Sequence, residues 1–155
     1  MQTPSLSDRE VRLEMLMPII REQLALGKSV RFNPKGVSML PMLRQGIDSV
    51  VLSPLPEKLR KYDLPLYQRD DGHFVLHRIV KTGDSYTCIG DNQFVLEDGL
   101  RSDQMIGLVT AFYRGNKRHS VTELGYRLYC RFWHYTRFPR RCLRWAKRKL
   151  GRILK

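Results

Sequence analysis

The 155-residue chain predicts a mostly β fold, with a short N-terminal helix before a compact β core and a basic, amphipathic helical tail after it. Between residues 29 and 120, short segments rich in β-branched and aromatic residues alternate with turn-forming Asp, Gly and Pro. Apolar residues at helical spacing occur in residues 1–28 and again in residues 121–155. A hydrophobic fraction of 42% and a charged fraction of 28% are typical of a globular protein.

The first predicted element is the short amphipathic helix. Its apolar residues recur at helical spacing from Val11 to Leu24. Ser7 and Glu10 are spaced as in a capping box, which satisfies amide groups at the start of a helix. Because proline has no amide hydrogen to donate, Pro18 should kink this helix or mark its start.

The β core is predicted to contain about six or seven strands. NPKG predicts a turn after the first strand, and SMLPML predicts either a second short strand or a turn that ends at RQGID. The strand segments, marked by β-branched and aromatic residues, are SVRF, SVVLSPL, DLPLYQ, HFVLHRIV, SYTCIG and QMIGLVTAFYR.

The composition argues against several classes of protein. The sequence contains no run of the roughly 18 to 20 apolar residues that a membrane-spanning helix needs, and its N-terminus lacks the layout of a signal peptide. We therefore expect a cytoplasmic protein. The three cysteines have neither a CxxC nor a Cys/His ligand spacing, so the sequence predicts no disulfide framework, no metal site and no cofactor.

A serine in the turn between the first two strands is a candidate nucleophile. Ser38 lies in GVSMLP, where Gly36 leaves room for a close backbone approach. Backbone amides near Ser38 and Met39 are candidate donors to an oxyanion. The simpler interpretation is that Ser38 only hydrogen-bonds within its turn, as serines often do.

A serine hydroxyl needs a base, and His77 in VLHRIV is the candidate. Strand alternation places His77 on one face with apolar neighbours, which favours the neutral imidazole that a general base requires. Asp91 follows 14 residues later in IGDN and could return across a hairpin to hold the other imidazole nitrogen. Alternatively, His77 is a packing residue, Asp91 caps a turn, and Arg78 pairs with a carboxylate.

Together, GVSMLPML, a strand that ends in HRIV and the GDN resemble the serine peptidase superfamily of type I signal peptidases and LexA-like self-cleaving repressors. The resemblance covers roughly residues 29–109. It implies that Ser38 is the nucleophile and that His77 replaces a lysine base, as in the histidine-type, endoplasmic-reticulum-type or Gram-positive-like, signal peptidases. It also implies a catalytic role for Asp91 or for a later acid, Asp98 or Glu97.

Two features depart from the family pattern. Gly36 stands where many signal peptidases carry an oxyanion-donating serine, and a flanking transmembrane helix is absent from the sequence. The expected function is therefore that of a small serine endopeptidase that cleaves an extended peptide, leader or preprotein by a Ser-His mechanism. The alternative is a catalytically silent or regulatory LexA-like module that binds a membrane or nucleic acid through its basic tail.

The net charge of +13 comes entirely from the C-terminal part of the chain. From Phe112 to Lys155 there are 14 Lys/Arg and one acid, Glu123, whereas residues 1–111 hold 14 basic and 14 acidic residues. Pro139 is expected to separate two helical pieces within the tail. The first piece carries a helically spaced apolar stripe of Leu124, Leu128, Phe132 and Tyr135.

Aromatic residues beside Lys and Arg in this tail, including Trp133 and Trp145, favour binding to an anionic membrane surface. Nucleic acid is the alternative partner, because phosphates attract the same charges. A third possibility, for residues 121–138, is a helix that docks on the core and leaves its basic face in solvent. The membrane interpretation predicts a peripheral location at the membrane.

Overall fold

The structure is a computed structural model that describes residues 13–153. Helix α1 (Leu13–Ala25) confirms the predicted N-terminal helix and contains Pro18 within its length. Its inner side buries Met17, Ile20 and Leu24 in the main hydrophobic core. The predicted capping box of Ser7 and Glu10 lies outside the described residues.

Within residues 13–153 the chain forms two antiparallel sheets, and the mostly β prediction is confirmed. The larger sheet has the strand order β1-β2-β8-β3-β4, with β9 also paired to β8, and the smaller has the order β5-β6-β7. The strands are β1 (Val30–Phe32), β2 (Ser49–Ser53), β3 (Pro65–Gln68), β4 (Phe74–Leu76), β5 (Arg78–Lys81), β6 (Tyr86–Ile89), β7 (Glu97–Leu100), β8 (Met105–Arg114) and β9 (Lys117–Ser120).

Two of these strands, β7 and β9, were not predicted, and HFVLHRIV, predicted as a single strand, is interrupted at His77 and forms both β4 and β5. The sequences of β7 and β9, EDGL and KRHS, contain few β-branched or aromatic residues, so their local propensity for a strand is low. Each instead pairs with a neighbouring strand, β7 with β6 and β9 with β8. The SMLPML segment, which was predicted to be either a short strand or a turn, forms a turn.

The two sheets meet at His77. This residue separates β4, on the edge of the larger sheet, from β5, on the edge of the smaller one. Antiparallel pairing then sets Ile79 of β5 opposite Cys88 of β6, and Cys88 opposite Glu97 of β7. The hairpin predicted after His77 therefore forms, and it brings β7 back toward the imidazole.

The C-terminal tail forms helices α2 (Leu124–Tyr135) and α3 (Arg137–Ile153). The break falls at Thr136 rather than at the predicted Pro139. Pro139 is the third residue of α3, and a proline in the first helical turn costs no intrahelical hydrogen bond. None of the helices in the described residues is both long and apolar enough to cross a bilayer.

Helix α2 packs on the core with a face other than the predicted apolar stripe. Cys130 is 1% exposed, Tyr126 and Tyr129 pack against the main core, and Trp133 donates its indole hydrogen to the Asp91 carbonyl at 2.6 Å. The predicted stripe, which begins at Leu124, points to solvent. The alternative of a helix docked on the core is therefore confirmed for α2, although hydrogen-bonding aromatic residues, and not the apolar stripe, form the docked face.

Candidate active site

One cavity brings Ser38 and His77 together. It has a volume of about 230 Å³ and is bounded by the turn after β1 and by strand β4. Ser38 is half-buried in that turn, whereas the His77 side chain is 2% exposed. The remaining lining residues are Pro34, Lys35, Gly36, Met39, Leu43, Arg69, Phe74, Val75, Leu76 and Gln93.

Gly90 allows the serine turn and the imidazole to approach each other. A methyl group at Gly90 would lie 2.7 Å from the Ser38 carbonyl oxygen, which is too close, and 3.0 Å from His77 Nε2, which is a tight contact. The Ser38 carbonyl accepts the amide hydrogen of Asn92 at 2.8 Å, and the Asn92 side chain donates to the Val37 carbonyl at 3.1 Å. The GDN segment therefore holds the serine turn beside His77 Nε2.

The other imidazole nitrogen is held by Glu97. Glu97 Oε1 lies 2.9 Å from His77 Nδ1. An ionised carboxylate can only accept a hydrogen bond, so this contact places the proton of the neutral imidazole on Nδ1. Nε2, on the Ser38 side of the ring, is then the nitrogen with a free lone pair.

Tyr67 and Arg69 orient the Glu97 carboxylate. The Tyr67 hydroxyl donates to Glu97 Oε2 at 2.9 Å, and Arg69 Nε donates to the same oxygen at 2.8 Å. Arg69 Nη2 also donates to Oε1, which makes the pair bidentate. Burial by itself would raise the pKa of the Glu97 carboxyl, but these hydrogen bonds, together with the attraction of His77 and Arg69, outweigh it and lower that pKa, so Glu97 is ionised at neutral pH.

The environment keeps the imidazole neutral. Burial lowers the pKa of His77 below its ordinary value, because a charged ring loses hydration in this site. The Glu97 carboxylate opposes part of this shift by attracting the protonated ring. General-base chemistry at neutral pH needs a neutral imidazole with an acceptor nitrogen, and His77 Nε2 lies in the cavity that Ser38 also lines.

Asp91 occupies a different site from the one predicted. Its two carboxylate oxygens each accept a hydrogen bond of 2.8 Å from Arg78, and Tyr129 donates to one of them at 2.9 Å. The side chains of Asp91 and Arg78 are each 2% exposed. The expected pairing of Arg78 with a carboxylate is confirmed, and the expected contact of Asp91 with the imidazole is replaced by this ion pair, because a buried guanidinium needs a carboxylate partner.

Asp98 also lies away from His77. Its carboxylate accepts a hydrogen bond of 2.6 Å from the Thr87 hydroxyl, and the residue is exposed. Glu97 and Asp98 are consecutive in β7, and successive side chains of a strand point to opposite faces. Of the two acids that the resemblance left open, Glu97 is therefore the one that reaches the imidazole.

The two predicted oxyanion residues have different surroundings. The Gly36 amide donates to Gln45 Oε1 at 3.0 Å, so the turn itself uses that donor. Gly36 adopts a φ of 92°, which favours glycine. Met39 buries its side chain in the main core while lining the cavity, which fixes the backbone that follows Ser38.

Tyr67 and Arg69 were not predicted as site residues. They stand two residues apart at the end of β3, in DLPLYQR, so strand alternation would have placed them on one face. Nothing local connects them to an acid 28 residues beyond Arg69. The described residues include no group of three or more His, Cys, Asp or Glu side chains that could hold a metal ion.

Comparisons with protein-family models, curated proteins and solved structures gave no match to this chain. A function must therefore be inferred from the chemistry of the site.

Proposed function

We propose that the protein is a serine endopeptidase in which Ser38 is the nucleophile, His77 the general base and Glu97 the acid that orients the base. One observation carries this proposal: Glu97 holds His77 Nδ1, so that Nε2 faces the Ser38 turn in a shared cavity. Nucleophile, base and orienting acid in this order are the components of a serine hydrolase site.

The mechanism follows from the two imidazole nitrogens. His77 Nε2 takes the hydroxyl proton of Ser38 as Oγ attacks a peptide carbonyl carbon, and Glu97 stabilises the imidazolium that forms. Backbone amides of the turn at Ser38 and Met39 are the proposed donors to the oxyanion. Collapse of the tetrahedral intermediate breaks the C–N bond, and the imidazolium protonates the leaving amine. Water, deprotonated by Nε2, then hydrolyses the acyl-enzyme and regenerates Ser38.

The proposed substrate is an extended peptide that adds to the edge of the larger sheet. Strand β4 is the last strand in the order of that sheet, and its residues Phe74, Val75 and Leu76 line the cavity. A sheet edge offers backbone hydrogen bonds to an extended peptide. The limited volume of the cavity and the family resemblance both favour cleavage after a small residue.

The proposal is tested with a peptide library that samples small residues at the cleavage position, with mass spectrometry to detect products. Ser38→Ala and His77→Gln are expected to abolish cleavage, whereas the matched turn variant Ser85→Ala should cleave like the wild type. Thermal unfolding of each variant separates lost chemistry from lost folding. Undiminished cleavage by a folded Ser38→Ala variant would refute the mechanism, and a wild type that cleaves no peptide would favour the binding-module alternative.

A further inference from the structure

Helix α2 exposes a row of large apolar side chains. Leu124, Leu128, Phe132 and Tyr135 are 70%, 56%, 65% and 71% exposed. They recur every three or four residues, so they lie along one side of the helix. The buried residues of α2 occupy its other side, because Tyr126, Tyr129 and Cys130 contact Arg78, Asp91 and the core. The docked helix therefore leaves a continuous apolar strip in solvent.

Helix α3 also leaves large apolar side chains in solvent. The side-chain contacts from α3 to the turn at 91–92 come from two arginines: Arg144 donates to Asn92 Oδ1 at 2.8 Å, and Arg140 donates to the Asp91 carbonyl at 3.5 Å. Phe138, Leu143 and Trp145 are exposed. A surface helix of a globular protein normally buries its large apolar side chains, whereas residues 141–146 of α3 are all exposed.

The charge of the two helices identifies the kind of surface that fits them. Residues 124–153 contain ten Lys/Arg and no Asp or Glu. Two copies of such a segment repel each other, which disfavours self-association through this face. Binding to nucleic-acid phosphates requires only the cations, whereas the exposed surface also carries Phe, Leu, Trp and Tyr. Apolar and aromatic side chains flanked by cations are suited to the interface of an anionic bilayer.

We propose that the exposed apolar side chains of α2 and α3, namely Leu124, Leu128, Phe132, Tyr135, Phe138, Leu143 and Trp145, bind the surface of an anionic lipid bilayer. The apolar side chains enter the boundary between headgroups and acyl chains, and exposed cations such as Arg127 and Arg141 contact the headgroups. This inference does not depend on the peptidase chemistry, since none of these residues lines the Ser38–His77 cavity.

Binding in this way would hold the catalytic cavity at the bilayer surface. Arg144 of α3 donates to Asn92, whose amide in turn donates to the Ser38 carbonyl. Gln93, the next residue, lines both the catalytic cavity and a crevice beneath α2 and α3. Peptides that are themselves bound to the membrane are therefore the favoured substrates, if the peptidase function proposed above is correct.

The experiment is co-sedimentation of the full chain with vesicles of phosphatidylcholine alone or with phosphatidylglycerol. The double variant Phe132→Ser with Trp145→Ser is compared with a matched control, Ile19→Ser with Leu26→Ser, which removes two apolar side chains exposed elsewhere. We expect the wild type and the control to bind anionic vesicles, and the Phe132/Trp145 variant to bind at least about tenfold more weakly. Raised salt should weaken binding by the wild type.

A second variant tests the charge separately. Arg127→Gln with Arg141→Gln should weaken binding to anionic vesicles while leaving the apolar strip intact. Equal binding by the wild type and the Phe132/Trp145 variant, or no binding by either, would overturn the proposal. The proposal would also be overturned if the wild type self-associated with rising concentration and the Phe132/Trp145 variant did not. DNA that competes with the vesicles for the wild type would overturn it as well. Ser38→Ala should bind vesicles like the wild type, so failure of catalysis and failure of membrane binding are distinguishable.

Discussion

Glu97 Oε1 lies 2.9 Å from His77 Nδ1, and this contact determines which imidazole nitrogen is available to the serine turn. Arg69 and Tyr67 hold the carboxylate from its other side. The imidazole therefore has one orientation, with Nε2 and the Ser38 carbonyl packed closely around Gly90. A base that is oriented in advance does not have to be ordered during the reaction.

Replacing Glu97 by Gln should lower kcat/KM for a cleaved peptide by at least about 100-fold, because the imidazolium loses its carboxylate partner. Asp98→Asn is the matched control, since Asp98 is the adjacent acid and contacts Thr87 instead. Its activity should remain within about threefold of the wild type. Steady-state kinetics on both variants decide between the two acids; a larger loss in Asp98→Asn would contradict the assignment of Glu97.

The pH profile should show an acidic limb set by His77. Because burial lowers the pKa of its imidazole, the base stays neutral to lower pH than an exposed histidine, and kcat/KM should halve at a pH below about 6.5. Glu97 raises this pKa, so any residual activity of Glu97→Gln should have its limb at still lower pH. A limb that moves to higher pH in that variant would be inconsistent with the contact.

Gly90→Ala should disrupt the site by a steric effect. The added methyl group would meet the Ser38 carbonyl oxygen and His77 Nε2, and relieving this contact should cost on the order of 1–3 kcal/mol and reduce activity at least about tenfold. Gly125→Ala is the control, because a side chain at this helical position meets nothing within 4 Å and should be neutral or slightly stabilising. Chemical denaturation and kinetics measure both effects; a fully active Gly90→Ala variant would argue against the proximity of Ser38 and His77.

Asp91→Asn should reduce the stability of the fold more than its catalytic activity. It leaves the Arg78 guanidinium buried without its carboxylate, which should lower the free energy of unfolding by about 3–5 kcal/mol. Asp103→Asn, which breaks the exposed pair with Arg101, should change stability little. Urea denaturation checks both, and activity is measured at a temperature where Asp91→Asn remains folded. A stable but inactive Asp91→Asn variant would instead support a catalytic role for Asp91.

Much of the fold could be predicted because local patterns match the final structure. Helix α1, the long strand β8 and the hairpin of β5 and β6 all follow segments with clear periodicity or strand composition. Strands β7 and β9 could not be found in this way, because pairing with an existing edge outweighs the low propensity of EDGL and KRHS.

The sequence by itself determined the mostly β core, the helices at both ends and the concentration of positive charge in the tail. It also identified Ser38 as the candidate nucleophile and His77 as the candidate base. The tertiary structure decided which acid meets His77, because Glu97 and Asp98 are neighbours in one strand and only the face of β7 distinguishes them. It also decided which side of α2 faces the core. The buried Arg78–Asp91 pair needs hydrogen-bonding neighbours, and Tyr126 and Tyr129 supply them, so the purely apolar stripe remains outside.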